Sequence, residues 1–146
     1  MMHPFPHRYR VRIGIRPDGE VTLDSEGLPQ LRSLPPPEWG GPGGFWSPET
    51  LLLAALGDCT MLTFRAIAKA SRFAWNELSA EVDGKLDRIE GNSRFTEITI
   101  RVRLVVPAGG DATRARHLLE QAEKGCPVSN SLTATKHVEA EIVEAA

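Results

Sequence analysis

Residues 47–64 read Ser-Pro-Glu-Thr-Leu-Leu-Leu-Ala-Ala-Leu-Gly-Asp-Cys-Thr-Met-Leu-Thr-Phe, and no other stretch constrains the fold as tightly. Ser47 can cap a helix, Pro48 suits its first position, and Glu49 is favourable in the first turn beside the helix dipole. The helix is expected to run to about Ser71. Leucine and alanine dominate to position 56, with almost no polar face before Lys69. A helix apolar nearly all round has to be buried on most sides. A chain of 146 residues has room for one domain with a real core. So small a domain covers such a helix poorly, so burial by a second copy of the chain is expected.

The flanking segments supply strands and further helices. Residues 9–15 alternate apolar and polar as a half-buried strand does. Pro17-Asp18-Gly19 marks a turn, and Val21 and Leu23 continue the alternation, giving an N-terminal hairpin. Residues 35–46 carry prolines and glycines that break both helix and strand, yet Trp39, Phe45 and Trp46 favour a loop that packs down. Leu78 to Leu86 alternates weakly, and Glu90-Gly91-Asn92-Ser93 is a turn. Residues 96–106 alternate strictly, with Ile98, Ile100, Val102, Leu104 and Val106 on one face. Asp111 caps a second helix with Ala115, Leu118, Leu119 and Ala122 as its apolar stripe, and Gly125 ends it. Cys126-Pro127 opens another short helix, and Val138, Ala140 and Ile142 mark a last strand. The order ββ(β)–α–ββ–α–(α)–β is an α+β pattern in a single domain, 1–146.

Composition excludes several classes. The formal net charge of −2 argues against a sequence-independent nucleic-acid or anionic-membrane binder. No unbroken apolar run reaches the roughly 18 residues of a membrane span. The first eight residues carry no apolar stretch of signal-peptide length, so a cytoplasmic, reducing compartment is expected. A disulfide formed there is transient and catalytic rather than structural.

Cys59 and Cys126 are the only cysteines. In such a compartment two distant cysteines point to a redox pair rather than a staple. The plainer alternative is two unrelated buried thiols packing as small hydrophobes.

Ser47-Pro48-Glu49, a cysteine ten residues after that glutamate, and Gly125-Cys126-Pro127-Val128-Ser129 downstream together resemble the OsmC/Ohr family. These are osmotically inducible and organic-hydroperoxide-resistance proteins, and the resemblance covers most of the chain. It implies an intertwined homodimer with long central helices packed against bent antiparallel sheets and active sites at the subunit interface. It implies a cysteine-based peroxidase, an antioxidant enzyme of the oxidative-stress response that reduces organic hydroperoxides. Cys59 is then the peroxidatic residue and Cys126 the resolving one. Attack on the peroxide gives a sulfenic acid, the second thiol condenses with it, and an external dithiol of lipoyl or thioredoxin type restores both. No cofactor is required.

Local physics pulls the other way at the two thiols. Cys126 lies beside a helix N-terminus, where the dipole should lower its pKa. Cys59 lies about three turns into its helix, beyond the dipole's reach, and follows Asp58. It needs a cation from elsewhere. The resemblance supplies an arginine held by Glu49. In a straight helix the α-carbons of Glu49 and Cys59 are roughly 15 Å apart, so an extended arginine must bridge them or the helix must bend near Gly57. Arg32 is the first choice and Arg16, on the hairpin turn, the second; each is equally readable as a solvated surface residue. Without the resemblance, the simpler and favoured reading of Glu49 is a dipole-favoured first-turn acid.

His3, His7, His117 and His137 show no ligand spacing with either cysteine, which argues against zinc. Gly40-Gly41-Pro42-Gly43-Gly44 has proline where a phosphate loop needs backbone donors. Trp39, Phe45, Trp46 and Phe64 either line an apolar pocket for a hydroperoxide chain or are ordinary core or dimer contacts. The expected function is therefore peroxide reduction at Cys59 and Cys126. The alternatives are a non-catalytic redox-sensing or small-molecule-binding protein on the same fold, and a protein exchanging disulfides with a small dithiol.

Overall fold

The computed structural model describes residues 2–146. The chain divides into two compact units, Met1–Leu51 and Leu52–Ala146.

In the first unit, β1 (Arg12–Gly14), β2 (Val21–Asp24) and β3 (Leu31–Ser33) form an antiparallel sheet in that order. The expected hairpin pairs Ile13 with Leu23, and β3 extends it by pairing Arg32 with Thr22. Its burial differs from expectation. Tyr9, Val11, Ile13 and Ile15 all stand exposed, so the alternation marks a strand without a cover. The Pro/Gly segment is an ordered loop. Ser33 bridges to Trp46, and the Leu34 amide donates to the Trp46 carbonyl at 3.0 Å, closing its base. Gly41 has no substitute there, because a Cβ would fall 1.6 Å from the Pro35 carbonyl oxygen.

Helix α1 (Pro48–Ala70) starts where Ser47 and Thr50 cap reciprocally. The Thr50 amide donates to Ser47 Oγ at 3.2 Å, and the Ser47 amide donates to Thr50 Oγ1 at 2.9 Å. This is a capping box with threonine in the usual glutamate position. Helix α1 is long and apolar enough, by length and composition, to cross a membrane, because its few charged residues are spread out. Counting unbroken apolar residues overlooks that property. Its residues Leu56, Phe64 and Ala68 are nonetheless fully buried in the core of the second unit.

That core rests on a three-stranded sheet ordered β4 (Glu77–Ile89), β5 (Asn92–Val106), β6 (Thr135–Glu144). Glu90 and Gly91 both take positive φ, the two-residue turn that matches strand twist in the β4–β5 hairpin. Ile98, Ile100, Val102, Leu104 and Val106 are all at most 5% exposed, which fixes the inward face of the central strand. The opposite face is polar, with Arg101 ion-paired to both Asp83 and Glu139. The expectation of antiparallel sheets fails at one place: β6 runs parallel to β5. The connection requires it, because α2 (Ala112–Gly125) and α3 (Pro127–Asn130) carry the chain back to the end of the sheet from which β5 starts. The Asp111 carboxylate caps α2 from the Arg114 amide at 3.0 Å, and Ala115, Leu118, Leu119 and Ala122 are buried as the stripe predicts. Two glycines let α1 approach β4. A Cβ on Gly57 would lie 2.9 Å from Val82 Cγ2, and one on Gly84 would lie 2.8 Å from Leu53 Cδ2.

Candidate functional site

Cys126 occupies the corner between α2 and α3, in an extended conformation at φ −73° and ψ 114°. Pro127 cannot continue α2 but suits the first position of α3. The corner residue therefore ends one helix and caps the next. The Cys126 amide donates to the Glu123 carbonyl at 3.3 Å, and its Sγ accepts from the Ser129 amide at 3.4 Å. The corner packs on α1: a Cβ on Gly125 would rest 3.6 Å from Thr63 Cγ2. Next to Thr63 on that helix face lie buried Thr60 and half-buried Cys59. The Cys59 and Thr60 side chains both interact with the Cys126 thiol. Cys126 is fully buried, and both cysteines are free thiols.

Burial pushes the Cys126 thiol above its ordinary value, and the neighbouring Cys59 side chain adds to the rise. The Ser129 amide and the Thr60 hydroxyl pull the other way without prevailing. This reverses the dipole expectation. Helix α3 is one turn long and gives the sulfur a single N–H, whereas removal from water penalises the thiolate directly. The consequence for stability has a definite sign. Below the ordinary cysteine range both folded and unfolded chains hold the proton. Above it the unfolded chain ionises first, so stability falls as pH rises toward the folded value, by at most about 1.4 kcal/mol per pH unit. Urea unfolding of reduced protein from pH 7 to pH 10 should show this loss, and Cys126→Ser should flatten it.

A polar cluster surrounds the corner that sequence reading did not assemble. Ser129, only 1% exposed, donates its hydroxyl to Glu123 Oε1 at 2.6 Å. Lys136 Nζ donates to the Ser129 carbonyl at 2.8 Å and the Leu132 carbonyl at 2.6 Å. Serine three residues after a capping residue was a readable sign that the motif closes on itself. Nothing local marks Lys136.

The remaining expected site residues lie in the first unit. Glu49 is half-buried in the first turn of α1. Arg32 is exposed on β3, and Arg16 is exposed just beyond β1. Among the described residues no ion pair joins Arg32 or Arg16 to Glu49. Of the aromatic candidates, Phe64 is core, fully buried and edge-on to Trp75 with ring centroids 5.4 Å apart. Trp39, Phe45 and Trp46 are 45–54% exposed. Among the described residues no three His, Cys, Asp or Glu side chains gather closely enough to hold a metal ion.

Residues 41–141 match the family model for OsmC-like protein. "Peroxiredoxin OsmC" of Escherichia coli K12 is 28% identical over 88 residues, 60% of this chain and 61% of that one, so the match spans about three fifths of that relative. Among solved structures, an OsmC-like protein from Mycoplasma pneumoniae superposes with a TM-score of 0.82 at 21% identity, covering 95% of this chain and 99% of the other. An organic hydroperoxide resistance protein OsmC from Legionella pneumophila gives 0.75 at 21% identity, over 96% and 99%. At those identities the superpositions establish the α+β fold.

Proposed function

The chain belongs to the OsmC-like protein family, and from that premise we propose that it is a thiol-dependent peroxidase reducing organic hydroperoxides through Cys59 and Cys126. The observation that supports the proposal is the packing of the Cys126 corner on the face of α1 that bears Cys59. In the first step the Cys59 thiolate attacks the hydroperoxide, takes up its outer oxygen as a sulfenic acid and releases an alcohol. In the second, the Cys126 sulfur bonds to the Cys59 sulfur and the hydroxyl leaves with a proton as water. A dithiol reductant, lipoyl or thioredoxin-like, then returns both thiols.

The role assignment follows burial. Cys59 is half-buried and reachable, whereas Cys126 is sealed and held as a neutral thiol. Only a thiolate attacks peroxide, so the sealed thiol suits the second step. Glu49 and an arginine, Arg32 before Arg16, form the proposed cation device at Cys59; its support is the Ser47-Pro48-Glu49 motif. The proposal treats residues 1–146 as one functional domain, acting as a cytoplasmic homodimer without a cofactor. The solved relatives extend over nearly the whole chain, which supports the single domain. A second reading, a redox-sensing or small-molecule-binding protein on the same fold, draws on the lack, among the described residues, of an ion pair between Arg32 and Glu49.

A coupled assay separates the two. With dihydrolipoamide as reductant, the purified protein should consume cumene and tert-butyl hydroperoxides faster than hydrogen peroxide. Turnover indistinguishable from a protein-free blank would leave the binding reading as the better account.

A further inference from the structure

Every polar main-chain and side-chain group of Ser129 is directed at a different element. Its amide donates to Cys126 Sγ at 3.4 Å, its hydroxyl to Glu123 on α2 at 2.6 Å, and its carbonyl receives Lys136 from β6 at 2.8 Å. The residue is 1% exposed, so none of these bonds competes freely with water. Helix α3 needs such support. A single turn fixes several dihedrals for few hydrogen bonds and does not hold itself. Its backbone supplies Asn130 N–H to the Cys126 carbonyl at 3.0 Å, Ser131 N–H to the Val128 carbonyl at 3.1 Å and Leu132 N–H to the Ser129 carbonyl at 3.1 Å before the chain leaves. Lys136 contributes where the turn is weakest. Its ammonium, which has donors only, takes the Ser129 and Leu132 carbonyls at the C-terminal end, where a cation is favoured. Lys136 is rooted in the sheet opposite Ile98 of β5. The corner bearing Cys126 is thus fastened on one side to α2 and on the other to the sheet.

We propose that Lys136 and Glu123, acting through Ser129, are positioning residues that hold the Cys126 sulfur against Cys59 for disulfide closure. The inference rests on the reading of the two cysteines as a redox pair. Closure requires the sulfurs to reach about 2.05 Å with a restricted dihedral, so a corner that wanders loses the alignment. A misplacement of about 1 Å can cost reacting groups up to roughly a hundredfold in rate. The charged partners do not touch the reacting sulfurs; they fix the residue whose amide does.

The test uses the full chain, reduced, with diamide as oxidant. Diamide takes two protons and two electrons from the thiol pair, becomes the hydrazine and leaves the Cys59–Cys126 disulfide. This readout needs no peroxidase activity. Lys136→Met, which keeps most of the apolar stem, and Ser129→Ala should each close the disulfide about tenfold more slowly, within the range above. Lys136→Arg should recover most of the rate. Alkylation of Cys59 by N-ethylmaleimide, measured with Cys126→Ser added to each variant, should stay unchanged. In a parallel arm, one equivalent of cumene hydroperoxide should disappear at the wild-type rate in Lys136→Met, while more Cys59 is captured by dimedone. Closure at the wild-type rate in both variants overturns the inference. So does equal slowing of closure and Cys59 alkylation, which marks a general loss of structure. If wild type is inert to the hydroperoxide but the diamide rates fall as stated, the peroxidase reading fails and the positioning role stands.

Discussion

Cys59→Ser is expected to abolish hydroperoxide consumption, and Cys126→Ser to end it after one equivalent. The two outcomes differ because the thiols occupy different environments. A serine hydroxyl in place of Cys59 is un-ionised near neutrality and cannot attack the peroxide oxygen. Nothing else on that face of α1 replaces it, since Thr60 is buried and donates its hydroxyl to the Leu56 carbonyl at 2.9 Å. With Cys126 removed the first attack proceeds, but the sulfenic acid has no partner within the chain. Dimedone should then label Cys59 stoichiometrically, and the adduct is found by peptide mass spectrometry. Loss of steady-state turnover should be complete in both variants, with a stoichiometric burst in Cys126→Ser alone. Labelling of Cys126 in Cys59→Ser, with Cys59 remaining a thiol in Cys126→Ser, would reverse the roles and contradict the burial argument.

What was legible beforehand depends on periodicity. The inward face of β5 and the stripe on α2 are patterns that burial imposes residue by residue, and both appear in the structure as the sequence predicts. The start of α1 was equally readable, because Ser47 and Pro48 act on their own immediate neighbours. Direction and cover are different matters. Val138, Ala140 and Ile142 identify a strand in either orientation, and only the return path through α2 and α3 makes β6 parallel. The alternation of residues 9–15 likewise does not say what, if anything, lies over it.

At the candidate site the limit was electrostatic. A helix N-terminus beside Cys126 is visible in the sequence, and its stabilising N–H is present. Desolvation is not visible there, because it depends on the packing of the corner against α1, far away in the chain. The larger effect was therefore the hidden one. The same holds for Lys136. Its two carbonyl acceptors are set by how the turn closes, and a lysine at the start of a strand reads as surface charge until they are placed. Ser129 sat within the recognised motif, yet its partners came from elements on either side of it.

Wild-type protein is expected to sediment as a dimer at micromolar concentration, and Leu62→Glu to shift it toward monomer. The reason lies on α1. Within the second unit Leu56, Phe64 and Ala68 point into the core, while Ala54, Ala55, Leu62 and Ala66 remain exposed. Ala55, Leu62 and Ala66 recur at helical spacing and share one face. Leu62 is 49% exposed, a large apolar side chain midway along a helix whose opposite face is buried in the core. Small residues around one leucine allow close approach of a second helix, and a symmetric contact would place the same face of each copy together. A glutamate at the centre of that contact leaves a charge with no partner when buried. Dissociation should rise at least about a hundredfold, which corresponds to about 2.8 kcal/mol. Because Leu62 lies outside the buried cluster, the helical circular dichroism signal should be retained. Sedimentation velocity decides the matter: a wild-type monomer near 16.0 kDa would sink the dimer, and a Leu62→Glu dimer of unchanged affinity would move the contact to another surface.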